Sequence, residues 1–222
     1  MSAAYAMLWS GGKDSALALH RARSAGLEIT RLITFYDAAT KRVRFHATRV
    51  ELLHAQAAAA GIELRAVPTT WPEMEPALRS ELDTLREATF AGVVLGDIHL
   101  ADVRAWYEER VTAAGLEHVE PIWAEPPAEL VTEFVKIGGR AVITCVDLER
   151  LGPEWLGRVI DDRFPDDIAA TGIDQCGENG EYHSFAFAGP MFARAIAWRA
   201  GETRSETHFS QLDLMLDRAA VI

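Results

Sequence analysis

Apolar and polar positions along the first half of the chain switch repeatedly between short continuous runs and a helical period. Ala4-Tyr5-Ala6-Met7-Leu8-Trp9 is a short apolar run and reads as a buried strand. It stops at Ser10-Gly11-Gly12-Lys13-Asp14-Ser15, and a helix follows from Ala16 through Ala22. Leu32-Ile33-Thr34-Phe35-Tyr36 is a second strand ending at Asp37. Residues 49–60 carry helical spacing through Leu52, Leu53, Ala55 and Gln56, with Gly61 as a stop. Glu63-Leu64-Arg65-Ala66-Val67 reads as a strand closed by Pro68. Residues 73–88 place Met74, Leu78, Leu82 and Leu85 on one helix face. Val93-Val94-Leu95 is a buried strand ending at Gly96-Asp97, residues 102–114 are helical up to Gly115, and residues 118–122 are extended.

Strand and helix alternating in this way predict a parallel sheet of about five strands with helices on both faces, an α/β architecture of Rossmann-like type. Ligands in such sheets sit beyond the carboxyl ends of the strands. The glycine turn, Phe35-Tyr36-Asp37 and Gly96-Asp97 all fall at such ends, so three polar or glycine stops converge on one crevice. Past Trp123 the texture changes. Ala124-Glu125-Pro126-Pro127 reads as a boundary between a first domain, residues 1–124, and a smaller α+β domain, residues 125–222. In the latter, residues 128–137 and 165–170 read as helices. Residues 141–146, 185–187, 195–198 and 203–209 read as strands.

Composition narrows the class. The chain has 222 residues, 49% hydrophobic and 25% charged, which suits a globule able to bury a proper core. No apolar run approaches the roughly 20 residues of a membrane span. The first apolar run leads straight into the glycine turn without the basic start and cleavage site of a secretory signal, so a cytoplasmic protein with no membrane association is expected. Net charge is −11, only three of the 22 basic residues are lysines (Lys13, Lys41, Lys136), and no basic cluster appears. That argues against a nucleic-acid partner. The bias to Arg and Ala suggests a GC-rich, bacterial genome. Two cysteines, Cys145 and Cys176, exclude a disulfide framework or a multi-cysteine zinc ribbon. Oligomeric state is not readable, so an oligomer stays possible.

The chemistry centres on the glycine turn. Adjacent glycines free the backbone for positive φ and close ligand approach. The first N–H groups of the following helix point into the turn and, with the helix dipole, suit a phosphate. Ser10 and Ser15 add hydroxyls and Lys13 a positive charge. Asp14 would repel phosphate, so it either caps the helix or holds a Mg²⁺ that phosphates share. The spacing is neither GxxxxGK[ST] nor GxGxxG. SGGKDS instead resembles the PP-loop of the N-type ATP pyrophosphatases, which implies ATP cleaved between its α- and β-phosphates.

A second stretch, residues 172–184, holds Glu178, Glu181 and His183 around Asn179-Gly180. On its own it reads equally as a hairpin turn. The pair of motifs, SGGKDS with GENGEYHSF, looks like the diphthine–ammonia ligase family of PP-loop ATPases and its bacterial relatives. The likeness also takes in Gly96-Asp97-Ile98, Pro121-Ile122-Trp123 and Gly189-Pro190-Met191-Phe192. It implies a nucleotide domain and a smaller C-terminal domain with the catalytic cleft between them. Carried over by position, Ser10, Gly11, Gly12, Lys13, Asp14 and Ser15 would bind ATP, joined by the strand-end residues Phe35, Tyr36, Gly96 and Asp97, and Asp14 would be the Mg²⁺ ligand. Lys13, Asp14, Glu178, Glu181 and His183 would be catalytic. His46, Arg104, Gly177 and Gly180 would face the acceptor.

The implied reaction adenylates an acceptor carboxylate and transfers ammonia to it, giving an amide, AMP and pyrophosphate. The acceptor, a small molecule or a protein side chain, is not named by the sequence. Two rivals differ in class. An RNA-thiolating PP-loop enzyme would generally carry paired cysteines and a basic surface. A non-catalytic adenine-nucleotide sensor would need the phosphate turn without the acid-rich loop.

Overall fold

A computed structural model describes residues 3–43 and 48–218. The elements run β1 (Ala4–Leu8), α1 (Lys13–Ser24), β2 (Glu28–Asp37), β3 (Arg42–Val43), α2 (Val50–Ala60), β4 (Glu63–Thr69), α3 (Met74–Glu87), β5 (Gly92–Val94), α4 (Ala101–Ala113) and β6 (Glu117–Val119). They continue with α5 (Pro127–Lys136), β7 (Arg140–Asp147), β8 (Val159–Ile160), α6 (Phe164–Ala169), β9 (Tyr182–Ala188), β10 (Trp198–Ser205) and β11 (Phe209–Leu216).

The parallel strands lie in the order β4-β2-β1-β5-β6. The chain therefore winds outward from β1 first one way and then the other, the doubly wound order that opens a crevice at the carboxyl ends. Alternating side chains on each strand feed two layers. Met7 and Leu32 pack with Leu17, Leu19, Leu52 and Leu53 of α1 and α2. Ala6, Ile33 and Val93 pack with Leu78, Leu82 and Leu85 of α3 and Val111 of α4. The predicted α/β sheet with helices on both faces is thus what forms.

The second sheet is antiparallel, ordered β10-β11-β7-β8 with β9 on β7. Leu130, Val131 and Phe134 of α5 and Phe164 and Ile168 of α6 join the same buried cluster as α1 and β7. One apolar core is therefore continuous from the first sheet to the second.

The edge of β2 positions the site. Its pairing with β1 ends at Leu8↔Ile33, and its pairing with β3 begins at Tyr36↔Val43. Because β4 pairs along the opposite edge from Arg31 to Asp37, β3 must share the edge that β1 leaves. Thr34 and Phe35 lie in the gap between them.

Several local readings change. The strand expected to close at Pro68 runs on to Thr69, with Pro68 opposite Tyr36. A proline lacking an N–H is tolerated there because β4 borders the sheet. Residues 120–123 turn instead of continuing β6. Ala195-Ile196-Ala197 precede β10 and are not part of it. Asn179-Gly180 does form a turn, with Gly180 at φ 87°, but no hairpin. The strand after it, β9, pairs with distant β7.

Candidate functional site

The glycine turn is built as a loop held from both sides. Only Gly11 takes positive φ, 81°; Gly12 is extended and forms the N-cap of α1, without a side-chain cap. A Cβ on Gly11 would lie 2.5 Å from Leu53 Cδ2 and 2.8 Å from Gln56 Oε1, so the residue is fixed twice, by conformation and by space. Gln56, fully buried on α2, accepts from Trp9 Nε1 at 2.8 Å and donates to the carbonyls of Gly11 (2.9 Å) and Ala186 (2.6 Å). Ala186 N–H donates to the Gly11 carbonyl at 2.9 Å. Ser10 and Ser15 hydroxyls meet at 2.8 Å, and Gly12 N–H donates to Ser10 Oγ at 3.2 Å.

Lys13 does not stand free beside the turn. It is 2% exposed, with Nζ 3.0 and 2.8 Å from the two Asp14 oxygens and 4.9 Å from the centre of the Tyr182 ring. Nζ also donates to the Cys176 carbonyl. Burial works against this charge. The Asp14 carboxylate overcomes it, and the ammonium's pKa stands well above the ordinary lysine value. Asp14, read as a helix cap or a metal ligand, makes no cap. The backbone N–H of Lys13 is taken by Ser184 Oγ at 3.2 Å. The positive charge expected for phosphate is therefore already balanced.

An open cleft of about 880 Å³ lies over this turn, a size suited to a nucleotide with room beside it. Ser10, Lys13, Asp14, Ser15, Phe35, Tyr36, Gly96, Asp97, Gly177, Glu178 and His183 all line it. Sequence-expected residues of both motifs thus share one wall. Glu178 Oε1 accepts from Ile98 N–H at 2.9 Å, and His99 meets Asp174 at 2.9 Å. These bonds tie the acid-rich loop to the end of β5. Gly177, at φ 71°, packs so that a Cβ would be 2.7 Å from the Tyr182 ring.

Other expected residues stand elsewhere. Glu181 is buried, does not line the cleft, and receives Asn179 Nδ2 (3.2 Å) and Arg150 Nη1 (3.3 Å) on Oε1. Gly180 lies in the turn, and neither it nor the expected ATP-binding glycines Gly11 and Gly12 line the cleft wall. Arg104 reaches Glu120 at 3.3 Å and lies 4.6 Å over the Trp123 ring, also off the wall. His46 falls outside the described residues.

The wall also holds residues that periodicity did not mark: Trp9, Thr34, Thr69, Trp106, Tyr107 and Tyr182. Thr34 and Trp9 were readable only as strand residues. Trp106 and Tyr107 of α4 both pack against the core on the α3–α4 side while lining the cleft.

The cleft is acidic. Burial first, then the Asp14 charge, pushes Asp97 up to about 6. Glu178 is pushed up to about 7 by the same two causes. Burial and Asp97 raise Tyr107 to about 12. Among the described residues no three His, Cys, Asp or Glu side chains converge to hold a metal unaided. Mg²⁺ rarely needs that, since one or two carboxylates with water and phosphate oxygens suffice. Asp14 and Asp97, which repel each other when charged, fit such an ion. Both cysteines are free and buried; burial raises the Cys145 thiol to about 11 and Cys176 higher still. Neither is poised as a thiolate. Among the described residues no helix is long and apolar enough to cross a membrane.

Comparison with known proteins adds two family matches. Residues 3–118 match the model of the diphthamide synthase N-terminal domain and residues 126–221 that of its C-terminal domain. No match is found among curated proteins. Among solved structures, the U34-tRNA thiolase NcsA from Methanococcus maripaludis, with its 4Fe-4S cluster, is 16% identical with a TM-score of 0.40. The match covers 59% of this chain and 57% of the thiolase chain.

Proposed function

Because the chain belongs to the diphthamide synthase family, we propose that this PP-loop, ATP-using enzyme is a ligase that adenylates an acceptor carboxylate and then transfers ammonia to it. The observation that carries the reading is the bonded contact between the two motifs. Lys13 N–H to Ser184 Oγ, Gly11 carbonyl to Ala186 N–H and Lys13 Nζ to the Cys176 carbonyl put the phosphate turn and the acid-rich loop on one cleft. A nucleotide sensor would need only the turn. A thiolating enzyme would generally carry paired cysteines and a basic surface, whereas Cys145 and Cys176 are isolated and buried and the net charge is −11.

In this mechanism the β- and γ-phosphates rest on the α1 N-terminus at residues 11–15, and the α-phosphorus faces the acid-rich loop. The acceptor carboxylate oxygen attacks the α-phosphorus and the α–β bridging bond breaks. Charge growing on the departing pyrophosphate is met by the N–H groups of Asp14 and Ser15 in the first turn of α1, those of Gly12 and Lys13 being bonded to Ser10 and Ser184. Asp14, with Asp97 across the cleft, would hold Mg²⁺, which neutralises phosphate charge when bound. The Asp14 oxygens keep lone pairs for this while accepting from Lys13. Ammonia nitrogen then attacks the acyl carbon, AMP leaves, and the surplus proton passes to a carboxylate or imidazole on the wall. Glu178 and His183 are the candidates, and a pKa near 7 suits Glu178 for accepting it. Glu181, bonded to Arg150 and Asn179, holds the loop that presents them. Residues 1–124 and 125–222 would then act as nucleotide and acceptor domains.

The test is product analysis. The protein is incubated with MgATP, ammonium and fractions of carboxylate-bearing metabolites and proteins from a bacterial extract. AMP and pyrophosphate in equal amounts, dependent on both ammonium and one fraction, are expected. ADP and phosphate, or cleavage indifferent to ammonium, would overturn the ligase reading.

A further inference from the structure

Thr34 lines the cleft wall and is 2% exposed, yet its hydroxyl has no hydrogen-bond partner among the described residues. Buried hydroxyls are almost always paired, because an unpaired one loses water's hydrogen bonds without replacement. The residue is also odd for its row. On β2 it shares a face with Leu32, part of the apolar core behind α1, where valine would fill the same space without a polar atom. Its position explains the exception. β1 leaves the edge of β2 after Ile33 and β3 joins that edge at Tyr36, so Thr34 borders the gap beside the Trp9-Ser10 start of the glycine turn.

We propose that Thr34 is a nucleotide-binding residue whose hydroxyl bonds the ribose or base of the bound nucleotide. This rests on the ATP reading above. If phosphates occupy the residues 11–15 turn, the nucleoside half must extend along the neighbouring strand ends, and β2 is the neighbour on that side. A neutral hydroxyl, both donor and acceptor, can pair with the polar edge of a base or sugar as readily as with a phosphate, so tripolyphosphate is titrated beside MgATP to separate the two.

The experiment compares wild type, Thr34→Val and Thr34→Ser by calorimetric titration with MgATP and with magnesium tripolyphosphate, and by thermal melting without ligand. Thr34→Val keeps the shape and removes the hydroxyl. It should weaken MgATP binding about three- to tenfold, the equivalent of one neutral hydrogen bond. It should leave tripolyphosphate binding unchanged and melt no lower than wild type, since no internal bond is lost. Thr34→Ser should bind MgATP as wild type does.

Equal MgATP affinity in wild type and Thr34→Val overturns the assignment. So does a matching loss for tripolyphosphate, which would make the hydroxyl a phosphate ligand. A lower melting point with unchanged affinity would mark it as purely structural. Wild-type protein that binds tripolyphosphate but not MgATP defeats the nucleoside contact while sparing the phosphate turn. Protein that binds neither defeats the ATP reading itself, and this assignment with it.

Discussion

Replacing Asp14 with asparagine isolates the charge at the start of α1. The change keeps the shape and removes the carboxylate that faces Lys13 Nζ at 2.8 Å, across a pair whose side chains are 2% and 24% exposed. Opposite charges about 3 Å apart attract by about 5 kcal/mol at an effective dielectric near 20. Breaking one partner of a buried pair costs about 3–5 kcal/mol, because the other charge is left uncompensated. Asp14 is partly solvated, so the low end applies, about 3 kcal/mol. For a chain of this size that lowers the melting temperature by roughly 6–12 °C.

The pH dependence gives a sharper test. In the native protein the folded Lys13 pKa lies above its unfolded value. Its contribution is therefore fully present below the unfolded value and is lost only as pH rises through the still higher folded one. Between pH 7 and 10 the wild-type contribution is flat. Without Asp14, burial, the largest influence on Lys13, outweighs the remaining raising effects of Tyr182 and Cys176 and drives the folded pKa below the unfolded one. The unfolded chain then binds a proton that the fold does not, and stability rises with pH across that window. Urea unfolding of both proteins from pH 7 to 10, followed by circular dichroism, reads this directly. Adding Lys13→Met to Asp14→Asn should restore much of the loss, since no orphan ammonium remains. Equal midpoints at pH 7, or a variant whose stability stays flat or falls with pH, would refute the reasoning.

Three other outcomes are expected. Gly11→Ala demands a β-carbon at φ 81° and 2.5 Å from Leu53 Cδ2. Strain and overpacking together cost about 3 kcal/mol, and an unchanged melt would contradict the geometry of the turn. Gln56→Leu leaves Trp9 Nε1 and the Ala186 carbonyl without the glutamine. It should cost about 3 kcal/mol and weaken MgATP binding, measured by melting and titration; a variant as stable as wild type would refute the clamp. Finally, Asp97 at about 6 and Glu178 at about 7 are held protonated at low pH by burial and by Asp14. MgATP affinity should therefore rise from pH 5.5 to 7.5. Asp97→Asn, titrated with the same ligand, should flatten that rise, and an identical profile would discount Asp97.

The sheet was readable because its strands are short apolar runs separated by amphipathic helices, a pattern that depends on local spacing alone. The convergence of residues 10–15, 35–36 and 96–97 followed from the rule of strand carboxyl ends. Other features depend on which distant residue stands opposite. Nothing near Gln56 tells that it reaches Gly11 and Ala186, and nothing near Lys13 tells that Tyr182 covers it. SGGKDS read alone gave Lys13 to the phosphate, whereas its burial gives it to Asp14 and the Cys176 carbonyl. Pro68 misled for a related reason, since a proline stops a strand only where its missing N–H is needed. Thr34 was lost within an apolar run because its significance lies in the departure of β1 beside it.

These contacts give a physical reason for two motifs about 160 residues apart to act as one unit. The ammonium of Lys13 must be buried to hold the α1 start in place, and burial requires a carbonyl, a carboxylate and an aromatic face. Asp14 supplies the carboxylate from the same helix, while Cys176 and Tyr182 supply the rest from the loop bearing Glu178. The Gly11 carbonyl likewise needs Ala186 N–H as well as Gln56. A chain with the first motif alone would leave Lys13 Nζ without the Cys176 carbonyl and the Tyr182 ring, and the Gly11 carbonyl with Gln56 alone. The acid-rich loop therefore does two jobs. It completes the backbone of the glycine turn, and it brings Glu178 to the same cleft.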